Sequence, residues 1–246
     1  MKKLLLLLNI FLMLTSCTFT EHVYINEDGS GKYSFDMDGS SLMAMMPKDS
    51  LGKDKAIDST FSFKQIFEEK KDSIAKLSPE EQARLKKMEN FTMQMKMNAD
   101  KKQFLFSIGT PFKSVTDLQD VMNDMQDLQK MNKSKQDKSL GGMMDPSLFS
   151  GNGTKINYLY DGKKFSRKAI VDKAMLKKLD NDSLAQYKMI FEASKYVVQY
   201  HFPKAVKSVS NKNVVFSKDR KTITIEFKFD AFLKEPEQMN LDVVFN

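Results

Sequence analysis

The chain has 246 residues, one cysteine, two histidines, no tryptophan and a formal net charge of +7. One cysteine cannot form an internal bridge, so the disulfide-stapled class of small secreted proteins is excluded. Hydrophobic residues make up 41% of the chain and charged residues 29%, which is typical of a folded globular protein and not of a disordered one.

The first segment has the layout of a secretory signal peptide. Lys2 and Lys3 give a basic start, an apolar run covers residues 4–14, and small polar residues lead to Cys17. The run is shorter than the roughly 20 apolar residues that a membrane-spanning helix needs. We therefore expect residues 1–16 to be removed as a signal peptide. Their removal takes away two lysines and no acid, which lowers the formal charge from +7 to +5.

The end of this segment, Leu14-Thr15-Ser16-Cys17, resembles a bacterial lipobox. In bacterial lipoproteins the cysteine sulfur receives a diacylglycerol, signal peptidase II cleaves before the cysteine, and the new amino group is usually acylated. The resemblance implies lipid attachment at Cys17 and an anchor in the cell envelope. Thr18 in place of aspartate resembles the pattern passed on to the outer membrane of diderm bacteria; whether the protein faces the periplasm or the outside is left open. The alternative is a plain secretory signal with an incidental cysteine.

The mature chain is interpreted as a lipidated cysteine with a short tether, residues 17–22, followed by one α+β domain, residues 23–246. Two strand-like runs, residues 23–25 and 33–37, flank a turn that contains glycine and predict a β-hairpin. The turn also resembles a calcium-binding loop, because it contains glycine and is rich in side chains that carry oxygen. However, the twelve-position ligand set with a closing glutamate is missing, and turn chemistry explains the Asp, Asn and Gly residues.

Helical and strand patterns alternate in the middle of the chain. Residues 78–81 form a capping box with proline at the first helical position, which predicts a helix as far as about Met88. From Phe91 the apolar period becomes two, which predicts a second hairpin with one polar face. Ser114 and Asp117 form another reciprocal capping pair, where a further helix should begin. The apolar face of the second hairpin carries Met93, Met95, Met97, Phe104, Phe106 and Ile108.

The remainder of the chain is dominated by strand patterns. Residues 156–160 and 164–166 flank an Asp-Gly turn and predict a third hairpin, and a helical pattern follows from Ala169 to Leu179. Alternating strands fill the last fifty residues or so. No strand-helix-strand repeat of the parallel type is present. The predicted fold is therefore α+β, an antiparallel β-sheet built from hairpins, with inserted helices covering one face.

The run Tyr200-His201-Phe202-Pro203-Lys204-Ala205-Val206, together with Asn211 and residues 221–225, is similar to the closing strands of the LppM-like envelope lipoprotein domain. The strand, the turn at residues 28–31 and the next strand after Cys17 resemble the opening of many uncharacterised Bacteroidota lipoproteins. These resemblances imply an α+β envelope domain, in a family some of whose members are linked to lipid or cell-envelope interactions. They imply no functional residue.

The sequence offers little for catalysis. Nucleophilic catalysis needs an activated Ser or Cys beside a base, usually histidine. The mature chain has only His22, close to Cys17, and His201, which we expect to be a partly buried strand residue. No G-x-S-x-G or H-E-x-x-H motif occurs. Acids are plentiful, so a hydrolase with paired carboxylates stays open, but no pair is singled out. We expect no catalytic residue, no cofactor and no enzymatic activity.

Methionine is unusually frequent, and thirteen of the eighteen methionines fall between Met37 and Met144. Thioethers suit Cu(I) in an envelope protein, but no histidine or cysteine accompanies them. Flexible methionine side chains also fill irregular core gaps, and this interpretation is favoured. We therefore expect no metal site. A third interpretation makes residues 42–46 part of an adaptable apolar groove for a lipid or peptide.

These patterns predict a lipid-anchored cell-envelope lipoprotein with a non-catalytic, structural or interaction role. The alternative is a carrier or binding protein for a hydrophobic ligand, either lipid or peptide. The expected partner is a membrane, contacted through the lipid on Cys17, with a hydrophobic ligand or an envelope protein as the further candidate. Because the lysines are scattered and not clustered beside aromatic platforms, nucleic acid is not expected.

Overall fold

The structure is a computed structural model that describes residues 17–45, 56–121, 154–173 and 194–246. The signal peptide predicted for residues 1–16 lies outside the described residues. The described part has a mixed α+β fold with one eight-stranded and one four-stranded sheet. The strands are β1 (Thr18–Ile25), β2 (Gly31–Asp38), β3 (Ile57–Ser62), β4 (Thr92–Asn98), β5 (Gln103–Phe112), β6 (Thr154–Tyr160), β7 (Lys164–Val171), β8 (Lys195–His201), β9 (Val206–Val209), β10 (Val215–Phe216), β11 (Thr222–Lys228) and β12 (Leu241–Phe245).

The helices of the described ranges are short. Two single turns of 3₁₀-helix accompany them, at Val115–Asp117 and Pro236–Met239. The α-helices are α1 (Ser40–Met45), α2 (Phe63–Glu69), α3 (Lys71–Ile74), α4 (Pro79–Lys87) and α5 (Phe229–Lys234).

The eight-stranded sheet has the order β10-β11-β8-β1-β2-β5-β4-β3. Neighbouring strands are antiparallel except β1 and β8, which pair in parallel with Thr18 opposite Lys195. The first strand of the described chain therefore lies inside the sheet, between β2 and β8. Alternate residues of β1 are buried, among them Phe19, Val23 and Ile25. The hairpins predicted around residues 26–31 and 98–102 are confirmed as β1–β2 and β4–β5.

A second, antiparallel sheet has the order β6-β7-β12-β9, and its β6–β7 pair confirms the third predicted hairpin. It faces the first sheet, because the ring of Phe165 on β7 lies 5.0 Å from that of Tyr200 on β8 and 5.3 Å from that of Phe202. Two sheets thus enclose this part of the core, where the sequence predicted one sheet. The covering of one face by helices stays a prediction.

Two predicted boundaries are wrong. Residues 18–22 were expected in a tether, but β1 begins at Thr18, because this segment finds partners on both sides, in β2 and β8. The helical pattern predicted from Ala169 fails over its described part, because β7 continues to Val171 between β6 and β12. The Ala169 amide donates to Asn240 Oδ1 at 2.7 Å, so tertiary pairing overrides the local pattern. The rest of that predicted helix, beyond Lys173, lies outside the described residues.

Local signals in the middle of the chain are confirmed. Ser78 Oγ accepts a hydrogen bond from the Glu81 amide, and Glu81 accepts one from the Ser78 amide, which closes the capping box of α4. Ser114 and Asp117 form the second capping box, at the 3₁₀ turn. Core filling is confirmed for several of the methionines, whose side chains are buried: Met37, Met43, Met88, Met97 and Met239.

Candidate functional site

Cys17, the predicted lipid attachment site, lies directly before β1. Its backbone carbonyl accepts a hydrogen bond from the Lys195 amide at 3.0 Å, which fixes the residue to the end of the sheet. The residue is only 5% exposed and packs among the core residues. Lipid attachment at Cys17 stays a prediction. If it occurs, two acyl chains cannot share the packed core, so the side chain must turn outward at the sheet end.

A group of buried polar side chains lies between the two sheets and is called here the interior polar cluster. Its charged members are Glu21 on β1 and Arg167 on β7, which are 2% and 1% exposed. The phenol of Tyr196 donates a hydrogen bond to Glu21 Oε2 at 2.6 Å. The cluster consists of Glu21, Tyr33, Tyr158, Arg167, Tyr196 and Tyr200.

Burial governs the electrostatics of the interior polar cluster. It raises the pKa of Glu21, and the positive charge of Arg167 is the main opposing influence. Burial also disfavours the charge of Arg167, but the surrounding tyrosines and Glu21 raise its pKa on balance, so the guanidinium stays protonated. The pKa of Tyr196 rises because of burial and the nearby Glu21, which keeps this phenol a neutral donor.

Some polar atoms of the interior polar cluster are not satisfied by protein groups. Glu21 Oε1 and Arg167 Nε and Nη1 are buried without a hydrogen-bond partner. An unsatisfied buried polar group costs about 1–3 kcal/mol. Since every member is at most 3% exposed, the cluster has no access to an external substrate. It can hold the two sheets in one relative register, which is a structural role.

The outward face of the large sheet carries a second group, called here the outer-face cluster: His22, Tyr24, Asp36, Ser107 and His201. His22 Nε2 lies 3.2 Å from Asp36 Oδ2, and Ser107 Oγ donates to Asp36 Oδ1 at 2.5 Å. Tyr24 stacks on His201 with ring centroids 4.0 Å apart and planes 5° from parallel. The parallel pairing of β1 with β8 creates this arrangement, because it places Tyr24 opposite His201.

The geometry of the outer-face cluster does not fit nucleophilic catalysis. In a catalytic triad the imidazole lies between the hydroxyl and the carboxylate, whereas here Asp36 lies between Ser107 and His22. Partial burial raises the pKa of Asp36, but the hydrogen bonds from His22 and Ser107 outweigh it and lower the pKa on balance. Burial, followed by the charge of His22, lowers the pKa of His201. The cluster is an ordered polar surface with one exposed aromatic ring, that of Tyr24.

A cleft of about 600 Å³ lies beside the outer-face cluster, on the half of the sheet near Cys17. The apolar residues among those that line it are Met37, Leu105 and Phe106, of which Leu105 lies on the outward face of β5. Among the described residues there is no group of three or more His, Cys, Asp and Glu side chains that could hold a metal ion. The absence of a metal site stays a prediction. The remaining lining residues are polar: Thr18, Thr20, Asp36, Asp38, Gln94, Lys96 and Ser107.

The sequence predicted some of this site and missed the rest. His201 is a partly buried strand residue, as expected. Its stacking with Tyr24 and its proximity to His22 were not predicted, because no local signal reveals a parallel pairing between strands so far apart in the chain. Glu21 carried a usable signal: it occupies an inward position of the alternation that Phe19 and Val23 define.

Comparison with solved structures finds the NMR structure of the Mycobacterium tuberculosis LppM protein folded domain. The TM-score is 0.41 and the sequence identity 9%, over 94% of this chain and 89% of that chain. A likeness at this level assigns neither fold nor function. No family model matches the chain, and no curated protein matches it. Within the described ranges, no helix is long and apolar enough to cross a bilayer.

Proposed function

We propose that this protein is a non-catalytic lipoprotein of the cell envelope, anchored through lipid on Cys17, and that it acts through its surface. The observation that carries the proposal is the sequence of the first seventeen residues, in which a basic start, an apolar run and a lipobox-like tetrapeptide end at the one cysteine of the chain. Thr18, which follows the cysteine in place of an aspartate, resembles the pattern passed on to the outer membrane and supports placement there in a diderm bacterium.

The junction between anchor and domain supports this proposal. β1 begins at the residue after Cys17, so the folded domain follows the modified residue without spare chain. In lipoproteins the diacylglycerol is added before cleavage, while the signal segment still holds the chain at the membrane. The thiol is therefore modified before the sheet can bury it. One acyl chain binds a membrane only marginally, whereas two or three give stable anchoring.

The packing between the sheets favours a surface role over an internal carrier. Phe202 lies 4.9 Å from Phe245 of β12, ring centroid to ring centroid, and Phe165 touches both Tyr200 and Phe202 across the gap. Side chains of both sheets thus occupy the space that an acyl chain would need. The outer-face cluster lacks the order of groups that a Ser-His-Asp mechanism requires, which favours a non-catalytic role.

Metabolic labelling with radioactive palmitate tests the anchor. We expect the label in the wild-type protein and none in Cys17→Ala, because the modified sulfur is then missing. Thr18→Ala is the matched control, since it changes the next residue and keeps the cysteine, and it should retain the label. Label that persists in Cys17→Ala would sink the proposal.

A hydrophobic ligand on the outside of the sheet is the second candidate function. The cleft of about 600 Å³ is lined by the outward-facing Leu105 together with polar residues, which suits a ligand with an apolar part and a polar head. Native mass spectrometry of the purified protein should show a co-purified ligand that is lost in Leu105→Glu. Ile170→Glu is the control, because Ile170 is 53% exposed on the other sheet. If the wild type and Leu105→Glu each show only the mass of their own ligand-free chain, this candidate is contradicted.

A further inference from the structure

The turn between β4 and β5 extends past the end of the large sheet at which β1 begins. Thr18 pairs with Asp38 of β2, and Asp38 pairs with Leu105 of β5, so Leu105 is level with the start of β1. β5 continues two positions further, to Gln103, and the β4–β5 turn at residues 99–102 comes after that. At about 3.3 Å per residue, Gln103 lies roughly 7 Å beyond the level of Thr18. Cys17 advances only one position in the same direction, so the turn projects past it.

The β4–β5 turn holds two adjacent lysines in a defined conformation. The Lys101 amide donates to Asn98 Oδ1 at 2.9 Å, and the Lys102 amide donates to the Ala99 carbonyl at 3.1 Å. Lys102 adopts a left-handed φ of 50°, which completes the turn. Both lysines are exposed, and the one acid in the turn is Asp100. The tip therefore presents a net positive charge on a fixed backbone.

We infer that the β4–β5 turn is a second membrane contact, in which Lys101 and Lys102 bind anionic lipid headgroups beside the anchor. The inference rests on the proposed lipid at Cys17. Because β1 follows Cys17 directly, the anchored domain has no spare chain with which to turn this end away from the bilayer. One lysine near an anionic membrane surface raises the membrane-binding constant about fivefold. Stable attachment commonly combines acyl chains with basic groups.

The other end of the sheets offers a matched control. The β6–β7 turn also carries adjacent exposed lysines, Lys163 and Lys164. It lies beside the β1–β2 turn, at the opposite end of β1, because a Cβ on Gly29 would be 3.4 Å from the ring of Tyr160. The same pair of charges therefore occurs near the anchor and far from it, and only the near pair should meet lipid.

Site-specific fluorescence in vesicles tests the inference on the lipidated full-length protein. The chain has one cysteine, whose sulfur is blocked by the lipid, so Lys101→Cys or Lys163→Cys supplies the one reactive thiol. Each variant is labelled with a fluorophore and reconstituted into phosphatidylglycerol–phosphatidylcholine vesicles that contain a lipid with a nitroxide on its headgroup. We expect strong quenching at position 101 and little at position 163. Equal quenching, or stronger quenching at 163, would overturn the inference.

Two further readouts separate the possible failures. Replacing phosphatidylglycerol with phosphatidylcholine should lower the ratio of contacting to non-contacting protein at position 101 about fivefold, because Lys102 then has no anionic partner. An unchanged value would refute the electrostatic contact. The mass of the purified protein reports the lipid: a chain without lipid mass overturns both the proposed function and this inference, whereas a lipidated chain with equal quenching overturns this inference alone.

Discussion

Replacing Arg167 with methionine should destabilise the protein strongly, and more so at high pH. Arg167 is 1% exposed, and its charge is the main influence that opposes the effect of burial on Glu21, which is itself 2% exposed. Removing one of two buried opposite charges leaves the other uncompensated, which for a buried ion pair costs about 3–5 kcal/mol. The free energy of unfolding of a native domain is only about 5–15 kcal/mol, so Arg167→Met should lose a large fraction of the total stability.

The pH dependence follows from the raised pKa of Glu21. A carboxyl whose pKa is higher in the folded than in the unfolded state contributes full stability below the unfolded pKa, and this contribution is lost as pH rises through the folded pKa. Without Arg167 the folded pKa of Glu21 rises further, so the loss extends to higher pH. The difference between Arg167→Met and wild type should therefore be smaller at about pH 5, where more of the carboxyl is protonated, than at about pH 8.

Urea unfolding followed by tyrosine fluorescence measures this difference, since the chain has seven tyrosines and no tryptophan. Arg84→Met is the control, because the half-buried Arg84 of α4 lies 4.0 Å from the exposed Glu80, and it should change stability by less than about 1 kcal/mol. Adding Glu21→Gln to Arg167→Met should recover part of the loss at high pH. A loss below about 1 kcal/mol, or an equal loss at both pH values, would refute the reasoning.

Four further substitutions test two glycines, the cap of α4 and the outer face. Gly31→Ala would place a Cβ 1.8 Å from a carbonyl oxygen of β1 and should cost about 3 kcal/mol or more of stability. Gly162→Ala, at φ 79° and with no atom close to the new Cβ, should cost about 1–2 kcal/mol. Equal urea midpoints for the two variants would contradict this difference. Ser78→Ala removes the cap of α4 and should cost about 1 kcal/mol by the same assay, and an unchanged midpoint would show that the cap is unimportant. The pKa of Asp36 is lowered in the folded protein, so the contribution of its carboxylate to stability is present above the unfolded value near 3.8 and is lost as pH falls through the folded pKa. Asp36→Asn should therefore be less stable than wild type at neutral pH and equally stable in acid. A stability deficit that persists in acid would exclude the bond between the charged carboxylate and His22 as its cause.

Local signals predicted the parts of the fold that depend on local chemistry. The turn at residues 26–31 contains glycine at φ 83° and the Asp28 side chain accepts from the Ser30 amide, which is the turn chemistry that the residue types suggest. The capping box at Ser78 and the alternation around Met95 likewise follow from spacings of two to four residues. Such features can be predicted because both partners lie within one short segment.

Long-range pairing could not be predicted in the same way. The choice of β8 as the parallel neighbour of β1 depends on which strand best completes the sheet, and the sequence around Thr18 does not encode it. The interior polar cluster depends on the same choice and on the second sheet, which brings Arg167 near enough to act on the charge of Glu21. The extension of β7 through Ala169 was missed for a related reason, since its partners in β6 and β12 override the helical pattern.

The central position of β1 affects the order in which the protein can fold. A chain is synthesised from its N-terminus, so β1 and β2 are made early, whereas β8 and β11 are made only after Lys195 has been added. Until then one edge of β1 lacks its neighbour, and an open edge strand is prone to pair with other chains. Contacts between distant segments also fold slowly. The large sheet can therefore close only when almost the whole chain is available, and a prematurely terminated chain would present β1 as an unprotected edge.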